Sequence, residues 1–370
     1  MNMLTKLPPI AVVSMSGGKD SMATALRAIE EYGHDRVRMV HADTGNEERL
    51  VEEYVRHYVP QRLNLPLDIV RADFTKDIAR KRDFVAEKWP ADLMAGKPGT
   101  WTWKGDPADK PAASPAVPSD PHRRAVVGNW MWSPGRPPIS ADEAAEIVER
   151  TLSVLHPTGI PFLDLCLWKG RFPSRKAQFC TQELKRYPLD RYMMDLMSAG
   201  YRVESWQGVR RDESMARRHV PDREWTPEGW EIVRPIAGWS AQQTVDYVLS
   251  HGVALNPLYS MGCDRVGCML CINAGKDEIS NAAARWPEHI DRIREWERLV
   301  GMASKRGLSS LLHRDGHDGS LEDAYRLSNI DAMVDWAQTT RGGKQYDLLG
   351  WNRAPDGCSS SYGLCDRGAA

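Results

Sequence analysis

Ser16-Gly17-Gly18-Lys19-Asp20-Ser21 is the stretch on which the reading of the fold turns. The run before it, Ile10-Ala11-Val12-Val13, is apolar and β-branched, as a buried strand is. After it, Met22, Leu26 and Ile29 recur at helix-face spacing, and Gly33 stands where a helix C-cap falls. The order is strand, tight glycine turn, helix N-terminus. Glycines let the backbone turn sharply and approach a ligand closely. The unbonded amides and the dipole at a helix start favour an anion. Ser16 and Ser21 add hydroxyl donors and Lys19 a mobile cation, so the stretch has the chemistry of a phosphate cradle. It is not the GxxxxGK[ST] loop, because its two glycines are adjacent. The plainer alternative is a Gly-Gly turn with Asp20 as an ordinary helix-start acid.

The chain has 370 residues, which predicts two domains or one domain with insertions. Hydrophobic residues make up 42% and charged residues 27%, enough for a sizeable core. Lysine plus arginine is 49 and aspartate plus glutamate 50, and the resulting charge of −1 excludes a protein built wholly around nucleic-acid phosphates. No apolar run reaches the ~18 residues of a membrane span, and the N-terminus carries no signal-peptide core, so no membrane partner is expected. Seven cysteines, three of them within Cys263–Cys271, read as metal or redox chemistry in a reducing compartment, and hence the cytoplasm.

A second strand, Val37–His41, leads to Asp43-Thr44-Gly45-Asn46-Glu47. In a doubly wound sheet ligands sit at strand carboxyl ends, which places Asp43 and Thr44 beside the same nucleotide as the glycine loop. A helix over Glu48–Leu63 and a strand at Leu67–Val70 complete a β-α-β-α-β order and predict a parallel sheet with right-handed crossovers. From Trp89 to about Ser140 periodicity is lost. Ten prolines fall between Pro90 and Pro138, and Trp89, Trp101, Trp103, Trp130 and Trp132 are interspersed. This segment reads as an insertion whose tryptophans either form a base-stacking surface at the site rim or pack on the insertion itself. A helix over Asp142–Leu155 follows. Lys169, Arg171, Arg175 and Lys176 form either an anion- or nucleic-acid-binding patch or a solvated basic surface. Strand Val203–Trp206 runs into Gly208, Arg210 and Arg217, the makings of a second phosphate clamp.

Cys263, Cys268 and Cys271 have C-x4-C-x2-C spacing, and such closeness points to a metal or cluster. Cys180, opening the helical pattern Thr181–Arg186, is the candidate fourth ligand, its thiolate favoured by the helix start. Cys166 reads as a buried apolar side chain. After Cys271 the pattern is helical, with Ile279, Trp286, Ile290, Ile293, Trp296 and Leu299 as packing residues.

The glycine loop resembles the PP-loop of N-type ATP pyrophosphatases. Cys180-Thr181…Leu184-Lys185…Pro188-Leu189 is similar to the cysteine-and-basic motif of the phosphoadenosine phosphosulfate (PAPS) reductase-like family. Gly208-x-Arg210-x-x-Glu213-Ser214, Arg234-Pro235-Ile236-x-x-Trp239, Asn256-Pro257-Leu258-Tyr259 and Gly267-Cys268-x-x-Cys271 resemble that family too, in the same order. The likeness runs from about Pro9 to Cys271, interrupted by the insertion. It implies an α/β fold: a Rossmann-like doubly wound parallel sheet of the adenine nucleotide alpha hydrolase-like kind. Its parts would be residues 1–88, an insertion over 89–141, the rest of the domain over 142–275, and a mostly helical region over 276–370. It implies ATP with Mg²⁺ at Ser16, Gly17, Gly18, Lys19, Asp20, Ser21, Asp43, Thr44, Gly208, Arg210 and Arg217, with Lys19 and Arg210 catalytic. It implies a [4Fe–4S] cluster on Cys180, Cys263, Cys268 and Cys271. The reductases' Cys-Cys pair is here Cys180-Thr181, which keeps Zn²⁺ on the same four residues as an alternative. Cys365 resembles the nucleophilic cysteine on the reductases' C-terminal tail; pairing with Cys358 is the other reading. Three functions follow. One is ATP cleavage between the α- and β-phosphates with adenylylation of an acceptor for sulfur transfer, served by a sulfur donor. Another is PAPS or adenylyl-sulfate reduction with a thioredoxin-like partner. The third is a metal-stabilised nucleotide- or nucleic-acid-binding module.

Overall fold

β1 (Pro9–Ser14) lies at the centre of the main sheet, paired in parallel with β2 (Val37–Asp43) on one side and β7 (Arg202–Trp206) on the other. The computed structural model describes residues 8–121, 125–313 and 321–339. β3 (Leu67–Arg71) extends the sheet beyond β2, and β9 (Glu231–Val233) beyond β7, both in parallel. β8 (Arg223–Trp225) closes the far edge antiparallel to β9, for an order β3-β2-β1-β7-β9-β8. This is the expected Rossmann-like doubly wound α/β fold. The β8–β9 hairpin was not anticipated, because strands of three residues are too short to carry a readable period.

Alternation along β1 explains its apolar run. Ala11 and Val13 face one core and Ile10 and Val12 the other, so both faces are buried. On the first face lies α1 (Lys19–Tyr32), whose Met22 and Leu26 pack into that core; on the second, α8 (Tyr187–Ser198) supplies Leu189 and Met193. The chain leaves β1 toward β2 on one side and returns through β7 on the other. The topological switch point, where such sheets bind ligands, is therefore between β1 and β7.

Two helices carry a π turn. α2 (Arg49–Glu53) passes through Tyr54–Tyr58 into α3 (Val59–Leu63), and α7 (Phe179–Thr181) passes through Gln182–Arg186 into α8. Pro60 and Pro188 each stand two residues past the turn. A helix-interior proline lacks its N–H and crowds the carbonyl four residues back, and a widened turn relieves both.

α4 (Thr75–Ala95) runs on past Trp89 and Pro90, beyond the point where the sequence pattern fades. Trp89 is buried there, with the ammonium groups of Lys81 and Lys305 5.2 and 4.9 Å from its ring. Next comes an antiparallel sheet of β4 (Thr100–Trp103), β5 (Ala125–Val127) and β6 (Trp130–Ser133), ordered β4-β6-β5. Its register sets Trp101 opposite Trp132 and Trp103 opposite Trp130, each ring pair at 5.3 Å. The indole N–H groups of Trp101, Trp103 and Trp132 donate to the carbonyls of Ala116, Asp106 and Pro121. The tryptophans thus pack on the insertion itself.

α5 (Ala141–Val154), opened by a Ser140–Glu143 capping box, and α6 (Pro161–Lys169) follow. α9 (Ala241–Ser250), the short α10 (Pro257–Ser260), α11 (Lys276–Arg285), α12 (Pro287–Met302), α13 (Leu321–Ser328) and α14 (Ile330–Gln338) complete the helices. Buried Glu297 of α12 accepts from the backbone N–H of Leu311 and of Ile330, fastening a loop and the start of α14 to one carboxylate. Burial pushes its carboxyl up to about 7. No helix among the described residues is long and apolar enough to cross a membrane.

Candidate nucleotide and cysteine site

The glycine loop sits at the carboxyl end of β1. Gly17 has φ +83°, and a Cβ there would lie 2.6 Å from Val55 Cγ2, so both conformation and space require glycine. Gly18 is the N-cap of α1 and has no side chain of its own to cap the helix. The serine hydroxyls brace the loop: Ser21 Oγ donates to the Gly18 carbonyl at 2.9 Å and accepts from the Ser16 amide at 3.2 Å, while Ser16 Oγ accepts from the Gly18 amide at 3.4 Å. The Lys19 amide donates to the Tyr259 hydroxyl at 3.1 Å. Lys19 Nζ lies 3.4 Å from Asp20 Oδ2 and 5.5 Å from the Tyr259 ring centre.

The expected second clamp has a different local role. Gly208 packs on the loop, since a Cβ there would lie 2.7 Å from the Asp20 carbonyl carbon and 2.9 Å from the Ser21 amide. Arg210, 0% exposed, donates from Nε to Asp20 Oδ1 at 2.6 Å and from Nη1 to Asp212 Oδ1 at 2.5 Å; its Nη2 is 3.9 Å from Glu213 Oε1. Arg217 is ion-paired with Glu213. A guanidinium this deeply buried is tolerable only with such partners. Arg210 is thus tied to Asp20 and Asp212 and Arg217 to Glu213, with Asp20 as the link that holds the end of β7 to the glycine loop, while Arg210 Nη2 makes no hydrogen bond among the described residues.

Asp43 and Thr44 also face inward. Asp43 Oδ1 accepts from the Gly45 amide at 2.9 Å, and Oδ2 from Arg56 Nη2 at 2.8 Å with Arg71 Nε at 3.6 Å. Thr44 Oγ1 donates to Glu47 Oε1 at 2.6 Å and lies 3.6 Å from Cys268 Sγ. Carboxylate oxygens of Asp43, Glu47 and Glu52 gather within 4.8 Å of one another.

The cysteine loop is bound to this same strand end. Glu47 and Cys268 form an antiparallel bridge, the Met269 amide donates to the Asn46 carbonyl at 2.7 Å, and Asn46 Nδ2 donates to the Leu270 carbonyl at 3.3 Å. Arg292 of α12 ties both sides, its Nη2 donating to Asn46 Oδ1 at 3.1 Å and to the Met269 carbonyl at 2.8 Å. Burial pushes the Cys268 thiol up to about 11, against the nearby cation of Lys185. Burial likewise raises Cys263, whose Sγ accepts from Asn281 Nδ2 at 3.6 Å. Cys271 Sγ accepts from the Asn273 amide at 3.5 Å. Cys180 is the second residue of α7, on the helix that brings Lys185 to Cys268. Among the described residues, no three cysteine sulfurs lie within 4.8 Å of one another. A tetrahedral zinc with ~2.3 Å bonds spaces its sulfurs by only about 3.8 Å, so a closed single-ion site is not assembled. Cys166 is fully buried, and Cys365 and Cys358 lie outside the described residues.

Of the basic segment, Lys169 pairs with Glu183 at 3.1 Å and Arg171 lies 5.3 Å from the Phe179 ring, while Arg175 and Lys176 are exposed. At the switch point Ser14, Ser205 and Gln207 meet Arg186 and Asp190 around a cavity with about 20 Å³ of free volume. That is room for roughly one water, well short of a base.

Sequence reasoning missed four participants. Asp212 was passed over inside a motif read for its arginine. Arg292 lies in the helical region read as packing alone. Asn256 and Tyr259 were read as a turn; the turn seats on the glycine loop from some 240 residues away, and the only signal was their place in the Asn-Pro-Leu-Tyr motif.

Residues 165–274 match the phosphoadenosine phosphosulfate reductase domain family. The chain is 40% identical over 369 residues, 96% of its own length and 97% of the relative's, to a protein of Escherichia phage 186 described as an "Uncharacterized 37.8 kDa protein in gpa 5'region". It is 32% identical over 165 residues to the adenosine 5'-phosphosulfate reductase of Allochromatium vinosum, and 35% identical over 115 residues to that of Streptomyces coelicolor. Those matches cover 41% and 30% of this chain and 60% and 46% of the two reductases. Among solved structures, the PAPS reductase of Candida auris in a phosphate complex aligns over 72% of this chain and 84% of its own at 14% identity, with a TM-score of 0.35, too slight a likeness to bear on the site.

Proposed function

This chain belongs to the PAPS reductase-like family, and we propose that within it the protein is an ATP-cleaving enzyme that adenylylates an acceptor for sulfur transfer. The observation that carries the proposal is the complete Ser16–Ser21 loop, with Lys19 at the first position of α1. Amides at the loop and the helix start would hold the phosphates, and Lys19 would neutralise charge on the departing pyrophosphate. An acceptor hydroxyl or carboxylate oxygen bonds to the α-phosphorus, the bond from that phosphorus to the β-bridging oxygen breaks, and pyrophosphate carries away the electron pair. Catalysis of this kind is mostly positioning and electrostatics. Asp43, Glu47 and Glu52 offer the oxygen donors that Mg²⁺ takes.

The four cysteines suit a cluster better than one ion, because a cubane binds each thiolate to a different iron and does not need the sulfurs packed together. Cys268 and Cys271 would hold it beside Lys185, with Cys180 and Cys263 as the outer ligands and N–H donors already aimed at the sulfurs of Cys263 and Cys271. When bound, such a group supplies redox chemistry next to the nucleotide loop. The sulfur would come from a separate sulfur donor.

The test is pyrophosphate release from ATP with candidate acceptors, lost in Lys19→Ala. Release that persists in that variant refutes the reading. The matches to adenosine 5'-phosphosulfate reductases favour a second reading, reduction of a nucleotide phosphosulfate. Sulfite release supported by thioredoxin, without pyrophosphate from ATP, would establish it instead.

A further inference from the structure

Asn256 is 2% exposed and opens α10 as its N-cap. Its Oδ1 accepts from the Leu258 amide at 3.0 Å, which fixes the orientation of the side-chain amide and leaves Nδ2 pointing away from α10. Nδ2 is buried and makes no hydrogen bond among the described residues. It points at the glycine loop, since a Cβ on Gly17 would lie 3.7 Å from it. The Tyr259 hydroxyl, one turn on, takes the Lys19 amide, so the whole turn rests on the loop and the helix start. A buried amide donor with no acceptor is destabilising, and natural proteins rarely leave one. Beside loop amides and an ammonium group, the acceptor that suits it is a phosphate oxygen.

We infer that Asn256 is a phosphate-binding residue of the glycine loop, its Nδ2 donating to a non-bridging oxygen of a nucleoside polyphosphate. This rests on the loop holding phosphate, as proposed above. It adds a contact from the far end of the domain, on the element that leads directly to Cys263. Phosphate binding and the cysteine loop are thereby joined through one short turn.

Two substitutions separate binding from folding. Asn256→Asp keeps the capping oxygen and the shape but replaces the donor with a carboxylate. Asn256→Ser keeps a good cap, is neutral, and loses the reach. Calorimetric titration of the full-length protein with ATP and with inorganic pyrophosphate is the measurement, and each variant's urea midpoint checks the fold. The expected result is about tenfold weaker binding in the serine variant and about a hundredfold in the aspartate variant, with the serine midpoint near wild type. Wild-type affinity in both variants overturns the inference and leaves the proposed function standing. If pyrophosphate binds but ATP does not, and the variants lose pyrophosphate, the inference stands and the ATP reading falls. If neither ligand binds the wild-type protein, both fall.

Discussion

Gly208→Ala tests whether the end of β7 is seated on the glycine loop as tightly as the geometry requires. The backbone at Gly208 is not in the left-handed region, so alanine there carries no conformational penalty and the whole effect is contact. The added Cβ would meet the Asp20 carbonyl carbon at 2.7 Å, its oxygen at 2.8 Å and the Ser21 amide at 2.9 Å, all backbone, which cannot rotate away. Ordinary contact begins at 3.4 Å, so the two segments must part by about 3.4 − 2.7 = 0.7 Å. Overpacking of this kind costs about 1–3 kcal/mol. Taken along the Arg210 Nε–Asp20 Oδ1 bond, now 2.6 Å, the shift lengthens it to about 3.3 Å and weakens a buried pair whose full disruption costs about 3–5 kcal/mol. The expected loss is roughly 2–4 kcal/mol in urea unfolding, together with weaker pyrophosphate binding, because the first turn of α1 moves. Gly238→Ala is the control, as its nearest neighbour is an arginine nitrogen 3.9 Å away. A Gly208→Ala protein within about 0.5 kcal/mol of wild type, binding pyrophosphate equally well, would refute the reasoning.

Glu297→Gln should change how stability depends on pH. With a folded pKa of about 7, above the unfolded carboxyl's ~4.3, the wild type has a contribution that is full below about pH 4 and lost as pH rises through 7, on the order of 3 kcal/mol. The stability difference between wild type and variant should therefore move in the variant's favour between pH 5 and pH 8; a pH-independent difference contradicts the assignment. Arg292→Gln should raise amide exchange about tenfold in residues 44–47 and 267–271 together, by loosening the tie between Asn46 and Met269. Exchange that rises in one segment alone means the two are not coupled through this residue. Trp132→Ala should abolish the near-ultraviolet circular dichroism of the paired indoles and leave ATP affinity within about twofold, since its ring and N–H are used inside the insertion. A large loss of affinity would restore the stacking-surface reading.

The central sheet was legible because a strand buried on both faces writes itself as an apolar run, and Ile10–Val13 does. The glycine loop was legible because an adjacent glycine pair between strand and helix has few other uses. What could not be read is the partner of each polar group. Arg210 in the motif looks like a ligand-binding arginine until Asp20, 190 residues earlier, is found 2.6 Å away. Ser16 and Ser21 look like donors to a ligand, yet the same hydroxyls brace the loop from within. The insertion's tryptophans face each other across β4 and β6, and no turn sets that register, because β5 lies between the two strands in sequence.

The charges around the loop bear on how a polyanion is held. Lys19, Arg210 and Arg217 are matched by Asp20, Asp212 and Glu213, three against three, in one network buried except at Asp212. A network neutral in itself adds little net attraction for an incoming phosphate, and drawing Arg210 away from Asp20 would strand a buried carboxylate. Attraction must therefore come from groups the network does not consume. Two such groups are the Nδ2 of Asn256 and the Nη2 of Arg210, both buried with no hydrogen-bond partner among the described residues, and a third is a cation arriving with the nucleotide. On the proposed reading Arg210 positions the loop through Asp20 and keeps its Nη2 for a ligand, beside the neutral donor of Asn256. On that reading the atoms that would meet a phosphate are buried donors without a partner among the described residues, and Asn256 and Arg210 both stand in the motifs that resemble the family.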